Sequence, residues 1–469
     1  MRFTLFATDA LFFSLIFVAI GYFVYASKRE HLRAPWREVT KNSLAMAAAT
    51  VLASFLIIAI LDSIHFFPRL EQVDGDQGQV HYASEVISMF DLLAGPVREQ
   101  VEKTYSAPFA IRAFSKETIE LEDGSSVRDY PRLQYGGAHL TDVRERAPDV
   151  TRRALGGVIG ALIAWFCGVS MMLIWVGRKT ACGYRAHLFA MLRNENRGPA
   201  RTLLVATASI AVVIGVCAAL APYYHIFGTD KVGTDVLYQS LKSIRTGLII
   251  GTLTTLVMLP FAILLGVSAG YFRGWIDDVI QYLYTTLSSI PGVLLIASAA
   301  LLLEVYMSKH ADEFTSLVAR ADLRLLALCV ILGITSWTGL CRLLRGETMK
   351  LREIDFVEAA RAFGVGHTTI IVRHMVPNIM HIVMISIVLD FSGLVLAEAV
   401  LSYINIGVDP SMESWGNMIN SARLELAREP IVWWSLLAAL AFMFVLVLAA
   451  NLFADAVRDA FDPRLRVIS

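Results

Sequence analysis

The sequence predicts an all-α polytopic membrane protein with one small polar α+β domain between its helices. Hydrophobic residues make up 56% of the 469-residue chain and charged residues 17%, whereas soluble domains are nearer to a quarter charged. Long apolar runs recur along the chain, and a helix needs about 20 apolar residues to cross a bilayer core. One long polar block, 65–153, interrupts these runs. The net charge of +0 gives no indication of nucleic-acid binding.

The apolar runs predict about nine membrane-spanning helices. Their predicted bounds are 7–26, 43–64, 155–176, 202–222, 246–270, 279–303, 324–345, 380–401 and 431–453. The positive charges near the first run follow it instead of preceding it, so we interpret this run as a retained anchor and not as a cleaved signal peptide.

The placement of lysine and arginine predicts the orientation of the helices. The loops 27–42, 177–201 and 346–373 are rich in both residues, and counting the spans places all three loops on one side. Loops of this kind stay in the cytoplasm. The N-terminus is therefore predicted outside and the C-terminus inside.

The polar block 65–153 is acidic and is predicted to form a small extracytoplasmic domain. Ser84 to Lys103 has the pattern of an amphipathic helix. The stretch "KETIELEDGSSVRDY" alternates around Asp123-Gly124, which is a hairpin signal. Two functions remain open for this block: a docking surface for a soluble partner, or a structural cap packed on the protein's own helices.

The sequence is predicted to divide into four regions. The polar Gly-Pro stretch "RNENRGPAR" (193–201) indicates the boundary between an N-terminal part and the rest. The regions are a transmembrane hairpin (1–64), the acidic α+β domain (65–153), a transmembrane helix with a basic cytoplasmic linker (154–200) and a six-helix core (201–469).

A polar helical stretch, "VEAARAFGVGHTTIIVRHMVPN" (357–378), lies between two apolar runs of the core. Its helical periodicity predicts one apolar face with small residues at the centre, made by Phe356, Ala359, Ala360 and Phe363. Gly364 is predicted to end this helix in the left-handed conformation.

A second short helix is predicted from there to Val376, capped by His367 or Thr368, with Pro377 opening the next span. Both histidines of the stretch, His367 and His374, are predicted to face water or a partner.

The stretch "EAARAFG" (358–364), followed by Pro377 thirteen residues after the glycine, resembles the EAA signature of importer permeases of the ATP-binding-cassette class. Further stretches resemble the dipeptide/oligopeptide branch of that family. They are "FGTDKVGTDVL" (227–237), "YFRGWIDDVI" (271–280), "SSIPGVLL" (288–295), "RHMVPN" (373–378), "LAEAVLSYINIGVDPSMESWGNMI" (396–419) and "VRDAFDPRLR" (457–466). The resemblance covers about 190–469, in the family's order. Residues 1–184 are not part of the usual family pattern.

The resemblance implies a type I ABC importer permease bundle of six helices, with about three extra N-terminal helices and the small domain added. It also implies that 353–377 is the coupling element that sits in a cleft of an ATPase subunit. The coupling residues implied are Glu358, Ala359, Ala360, Arg361, Gly364, Arg373 and Pro377.

The function implied is that of a permease subunit in the bacterial cytoplasmic (inner) membrane, which moves peptides by alternating access. The partners implied are a second permease subunit in a heterodimer, two ATP-binding subunits, an extracytoplasmic solute-binding protein and membrane lipid. No cofactor, metal site or catalytic residue is expected in this chain, which has no GxxxxGK[ST] phosphate loop and therefore no ATPase site of its own. Two alternatives stay open: transport of nickel or another small solute, and a non-transporting sensor or scaffold that uses the outer domain.

Four residues are candidates for lining a translocation path. Polar groups are costly in lipid, and helix breaks in transporters often line the path. Asp390, Glu398, Ser289 and Pro291 are therefore singled out. For Asp390 a structural ion pair or hydrogen bond is the alternative interpretation, and the one that the general cost of charge in lipid favours.

Overall fold

The computed structural model describes residues 2–69, 82–83, 86–120, 126–180, 199–310 and 316–461, and these residues are mainly helical. The helices are α1 (Ala7–Ser27), α2 (Glu30–Lys41), α3 (Ser43–Asp62), α4 (Met89–Leu93), α5 (Gly95–Arg98), α6 (Arg146–Thr180), α7 (Pro199–Leu220), α8 (Val236–Phe272), α9 (Gly274–Ser289), α10 (Gly292–Lys309), α11 (Leu317–Arg352), α12 (Asp355–Ala362), α13 (His367–Ile370), α14 (Val376–Tyr403), α15 (Trp415–Glu425) and α16 (Trp434–Phe461). A 3₁₀ turn covers Val143–Glu145, and a π-turn, Ile371–Met375, joins α13 to α14. The short strands are β1 (Arg2–Thr4), β2 (His65–Phe67), β3 (Ile87–Ser88), β4 (Glu117–Glu120) and β5 (Ser126–Asp129).

The predicted class, an all-α membrane protein with a small β-containing insertion, is confirmed. Within the described ranges, eight helices are long and apolar enough to cross a membrane, judged by length and composition. They overlap eight of the predicted spans. The remaining predicted span, 324–345, lies inside α11, a 36-residue helix that is not among these eight apolar helices.

The predicted span 279–303 is divided into two helices, α9 and α10. Ile290 between them is extended, with φ −87° and ψ 132°, and Pro291 is the residue before α10. Proline disfavours the helical conformation of the residue that precedes it, so the predicted interruption at Pro291 is confirmed. Pro260, for which the sequence also predicts a kink or an interruption, lies inside the continuous helix α8.

The chain divides into two compact units. Unit 1 comprises Met1–Phe3, Arg37–Arg245 and Glu413–Phe453; unit 2 comprises Thr4–Trp36, Thr246–Met412 and Ala454–Ser469. The polar block therefore shares a unit with α3, α6 and α7 instead of forming a unit by itself. The predicted boundary at 193–201 falls largely on 181–198, which lies outside the described residues.

Within unit 1, α6 and α7 pack through small residues. A Cβ atom on Gly157 would lie 2.6 Å from the carbonyl oxygen of Gly215, and one on Gly215 would lie 2.5 Å from the Cβ of Ala161. The two backbones are therefore too close for side chains at the crossing, as at small-residue crossings of membrane helices.

Replacing Gly157 by leucine should lower the thermal unfolding midpoint of the purified protein in detergent. The leucine overpacks the crossing and should destabilise unit 1 by about 2 kcal/mol. The neighbouring Gly156 has no atom within 4 Å of an added Cβ, so Gly156→Leu is the matched control and should leave the midpoint unchanged. Equal shifts in the two variants would contradict this packing.

The polar block contains the predicted hairpin but not the predicted long helix. Strands β4 and β5 are antiparallel, with Glu117 opposite Asp129 and Glu120 opposite Ser126; the turn at 121–125 lies outside the described residues. The prediction of one helix over 84–103 is wrong. Ser88 and Asp91 form a capping box that starts α4, and the chain turns at Ala94 before Pro96 enters α5, because proline cannot donate to the ladder of a continuing helix.

The polar block is hydrogen-bonded to the loop between α7 and α8. The backbone N–H groups of Glu102, Phe109 and Gly137 donate to the carbonyls of Gly233, His225 and Tyr223 at 3.0, 2.9 and 2.8 Å. Gly233 has φ +83°, and a Cβ there would lie 1.7 Å from the Glu102 carbonyl oxygen. Of the two functions left open by the sequence, these contacts favour a structural cap on the protein's own loop.

A buried histidine lies at the centre of this contact. His225 is 1% exposed, its Nδ1 is 2.8 Å from Asp235 Oδ2, and its Nε2 is 3.4 Å from Glu102 Oε1. Burial by itself would lower the pKa of His225, but the hydrogen bonds and charges of Asp235 and Glu102 outweigh burial and raise this pKa to about 9. Burial likewise opposes ionisation of Glu102, yet His225 and three backbone N–H groups, those of Gly136, Gln134 and Tyr135, lower its pKa to about 2.

The stability of unit 1 should therefore fall as the pH rises from 7 to 9. The pKa of His225 rises from 6.5 in the unfolded chain to about 9 on folding, so its contribution is complete below about pH 6.5 and is lost as pH passes through 9. The loss should be roughly 2 kcal/mol. Thermal midpoints across this pH range would measure it, and His225→Gln should flatten the profile. An unchanged slope in that variant would assign the effect to other groups.

Candidate functional site

The predicted coupling stretch is a distinct element between α11 and α14, which we call the EAA segment (353–377). It begins at Glu353, the C-cap residue of α11, and continues as the two-turn helix α12. Asp355 and Glu358 lie in the first turn of α12 and Arg361 in the last. This charge order complements the helix dipole and favours a separate short helix at this point.

Gly364 ends α12 as predicted. It has φ +74°, and its N–H donates to the carbonyl of Arg361 at 3.0 Å, while the N–H of Val365 donates to that of Ala360 at 3.1 Å. This pair of bonds is the Schellman arrangement, which needs a left-handed residue at the glycine position. An added Cβ on Gly364 would meet no atom within 4 Å, so the requirement for glycine is conformational and not steric.

One side of the EAA segment is anchored in the core of unit 2. Val357, Ile370 and Met375 are fully buried in an apolar cluster that also contains Tyr271 and Leu344. Burying a side chain of this size stabilises the folded protein by about 1.5–3 kcal/mol. Three such anchors fix the position of α12 relative to the ends of α8 and α11.

The predicted apolar face points away from that core. Phe356 is 43% exposed, Phe363 is 87% exposed and Ala359 is exposed, while Ala360 is half-buried against the cluster. A phenylalanine as exposed as Phe363 contributes almost none of the stabilising free energy that its burial would supply. The face therefore offers apolar area and close backbone approach to another surface.

The second part of the EAA segment differs from its prediction. Residues 367–403 run through α13, the π-turn and α14, so no separate helix ends at Val376, and Gly366 takes the N-cap position without a side-chain cap. Pro377 lies in the first turn of α14. Because proline lacks an N–H and its ring crowds the preceding turn, the wider π-turn directly before it is the expected local adjustment.

Contacts from the α8–α9 junction hold the EAA segment, and the sequence patterns did not predict them. The Tyr271 hydroxyl is 2.8 Å from His367 Nδ1, and Arg352 donates to the Tyr271 carbonyl at 2.9 Å. Arg273, with φ +58°, pairs with Glu353 at 2.6 Å. His367 is exposed, as predicted, and its ring is also held by the Tyr271 hydroxyl. The stretch "YFRGW" (271–275) is the part of the sequence that could have indicated these contacts.

A further ion pair joins the start of α9 to α11. Arg345 donates from Nε and Nη2 to the two oxygens of Asp277 at 2.6 and 2.8 Å, and both side chains are mostly buried, at 21% and 10% exposed. The hydrogen bond and charge of Arg345 lower the pKa of Asp277. The pair fixes the end of α11 that leads into α12.

The structure brings the predicted coupling residues together in one element. Glu358, Ala359, Arg361, Gly364 and Arg373 are exposed. Among the described residues, no hydrogen bond or ion pair holds the side chains of Glu358, Arg361 or Arg373. Their charges are therefore available to another surface.

The predicted path residues fall into two places. Ser289 and Pro291 lie at the break between α9 and α10, where the Ser289 hydroxyl donates to the Thr286 carbonyl at 2.7 Å. Asp390 and Glu398 lie two turns apart on α14. Glu398 is 2% exposed and accepts a hydrogen bond from Ser402 at 2.7 Å, whereas Asp390 is half-buried.

Comparisons with known proteins match part of this chain. The family model described as "Binding-protein-dependent transport system inner membrane component" matches residues 262–467. The dipeptide transport system permease protein of Lactococcus lactis subsp. cremoris is 30% identical over 240 residues, 51% of this chain and 64% of that protein. The glutathione transport system permease protein of Pectobacterium atrosepticum is 30% identical over 242 residues, 52% of this chain and 73% of that protein.

The oligopeptide transport system permease protein of Mycobacterium tuberculosis is 31% identical over 242 residues, 52% of this chain and 77% of that protein. Among solved structures, a chain of the methionine ABC transporter MetNI, in inward-facing conformations, is similar to this chain. The match spans 48% of this chain and 97% of the MetNI chain, at 15% identity and a TM-score of 0.37.

Proposed function

Because the chain belongs to the family of binding-protein-dependent transport system inner membrane components, we propose that it is the permease subunit of an ATP-binding-cassette importer that moves peptides across the cytoplasmic membrane. The observation that carries the proposal is the EAA segment, anchored on one side by Val357, Ile370 and Met375 and open on the other at Phe356 and Phe363. The dipeptide, glutathione and oligopeptide names of its relatives support a peptide cargo over nickel or another small solute.

The energy comes from two separate ATP-binding subunits, since the sequence of this chain has no GxxxxGK[ST] phosphate loop. The open face of α12 sits against an ATPase subunit, and the coupling residues Glu358 to Arg361, Gly364, Arg373 and Pro377 form and shape that contact. Burial of Phe363 alone would supply about 2 kcal/mol to such an interface.

Alternating access needs an element that moves as one body and has different contacts in its two positions. The contacts of the EAA segment support the first condition. Its anchors, the His367–Tyr271 hydrogen bond and the Glu353–Arg273 pair tie it to the ends of α8 and α11. A shift of α12 is thereby passed directly to the 36-residue helix α11 and to α14.

The remaining partners are a second permease subunit, which completes the pathway as a heterodimer, and an extracytoplasmic solute-binding protein. Ser289, Pro291, Asp390 and Glu398 are the candidate path residues of this chain. The N-terminus lies outside and the C-terminus inside, which places the EAA segment in the cytoplasm and the polar block 65–153 on the outer side.

The test is affinity purification of the tagged chain from its own host after gentle solubilisation, followed by mass spectrometry and peptide uptake in reconstituted vesicles. Recovery of ATP-binding subunits and a second permease, with ATP-dependent uptake, is the expected result. Recovery without any ATPase subunit would overturn the proposal and would direct attention to the polar block as a sensor or scaffold.

A further inference from the structure

Two acidic residues of α14 differ in their surroundings, although both lie in an apolar helix. Glu398 is almost fully buried and accepts a hydrogen bond from the Ser402 hydroxyl. Asp390 is half-buried, and no hydrogen bond or ion pair to its side chain occurs among the described residues. Within the described ranges, its carboxylate therefore lacks the intramolecular partner that was one of the two interpretations of the sequence.

Asp390 lies at the middle of its helix. It follows Val376 by fourteen residues and precedes Tyr403 by thirteen, which is about 20 Å from each end at the helical rise. A carboxylate at this depth is costly in lipid and is kept where it faces a cavity or a polar partner.

The neighbours of Asp390 show which side of α14 it occupies. Phe391 packs on α8, where its ring would lie 2.4 Å from a Cβ on Gly251. Leu389 on the other flank is 41% exposed. The side chain of Asp390 thus lies at the border between the packed side of α14 and its open side.

Resting on the proposed peptide import, we infer that Asp390 binds the α-ammonium group of the peptide as it passes the middle of the membrane. A lone carboxylate attracts a cation and repels a peptide's carboxyl end. One carboxylate is too few ligands for a divalent metal, and the described part of the chain has no group of three or more His, Cys, Asp or Glu side chains placed to hold one. An ammonium group needs only one charged acceptor, and its charge-assisted hydrogen bond is among the stronger ones.

The test is uptake of a matched pair of tripeptides, one with a free N-terminus and one N-acetylated, by vesicles that contain the whole transporter. Wild-type protein should transport the free peptide at least tenfold faster, the factor expected from one hydrogen bond to a charged group. Asp390→Asn should lower uptake of the free peptide about tenfold and leave that of the acetylated peptide unchanged. Asp390→Glu, which keeps the charge, should restore most of the discrimination.

Ser386→Ala, one turn earlier on α14, is the matched control and should keep the wild-type ratio. An Asp390→Asn transporter that keeps the wild-type ratio, or that loses both peptides equally, overturns the ammonium site and leaves peptide import standing. In the second case, loss of the partner permease on purification would reassign Asp390 to the subunit contact. A wild-type transporter that takes up neither peptide with ATP overturns the proposed function and this inference together.

Discussion

Replacing Gly364 by valine should reduce peptide uptake by at least tenfold while the protein still inserts into the membrane. The glycine holds φ +74° in the Schellman turn after α12, and a left-handed residue other than glycine costs about 1–2 kcal/mol, more when β-branched. Relief of that strain would move Val365 and the end of α12, and hence the open face at Phe363. Uptake and ATP hydrolysis in reconstituted vesicles would measure the effect; continued hydrolysis without uptake is the expected sign of uncoupling.

Gly366→Val is the matched control for this change. Gly366 has φ −61° and ψ 144°, which valine adopts readily, and an added Cβ there meets nothing within 4 Å. This variant should retain most of the uptake. Normal uptake by the Gly364→Val protein, at a normal protein level, would argue against a coupling role for the EAA segment.

Replacing Asp277 by asparagine should both destabilise unit 2 and slow transport several-fold. The change leaves Arg345 without its carboxylate partner at a site where its side chain is 21% exposed. Breaking a well-buried ion pair costs about 3–5 kcal/mol and an exposed one much less, so about 2 kcal/mol is expected here. Because the pair fixes the end of α11, the EAA segment should lose part of its rigid connection to the helices.

The adjacent Asp278 is exposed, so Asp278→Asn removes the same charge without breaking the pair. Thermal midpoints in detergent and uptake rates should separate the two variants clearly. The effect of Asp277→Asn should also shrink at low pH. The pKa of Asp277 is depressed in the folded protein, so its contribution is present above its unfolded pKa and is lost as the pH falls through the folded value. A pH-independent difference would point to a cause other than this charge.

The membrane class, most helix positions and the role of Gly364 in ending α12 follow from local patterns. Apolar runs of about 20 residues have few stable alternatives to helices in lipid, and a glycine followed by a polar turn is a direct stop signal. The helix expected over 84–103 was wrong, whereas the span 279–303 is divided at Pro291, where an interruption was predicted. In both, the apolar periodicity continues across a proline, and the backbone at Pro291 and Pro96 broke the helix.

The sequence by itself determined the family, the EAA segment and the candidate residues Glu358, Gly364 and Asp390, because each is recognisable in a short stretch or against a uniformly apolar background. Only the tertiary structure decided which side of α12 is buried, that His367 is hydrogen-bonded to Tyr271, and that no residue in the described part of the chain pairs with Asp390. These are contacts between residues far apart in the chain, such as Asp277 with Arg345 and His225 with Glu102. Periodicity and composition report only on neighbours in the sequence, so the choice among distant partners is made by packing and by the cost of burying an unpaired charge.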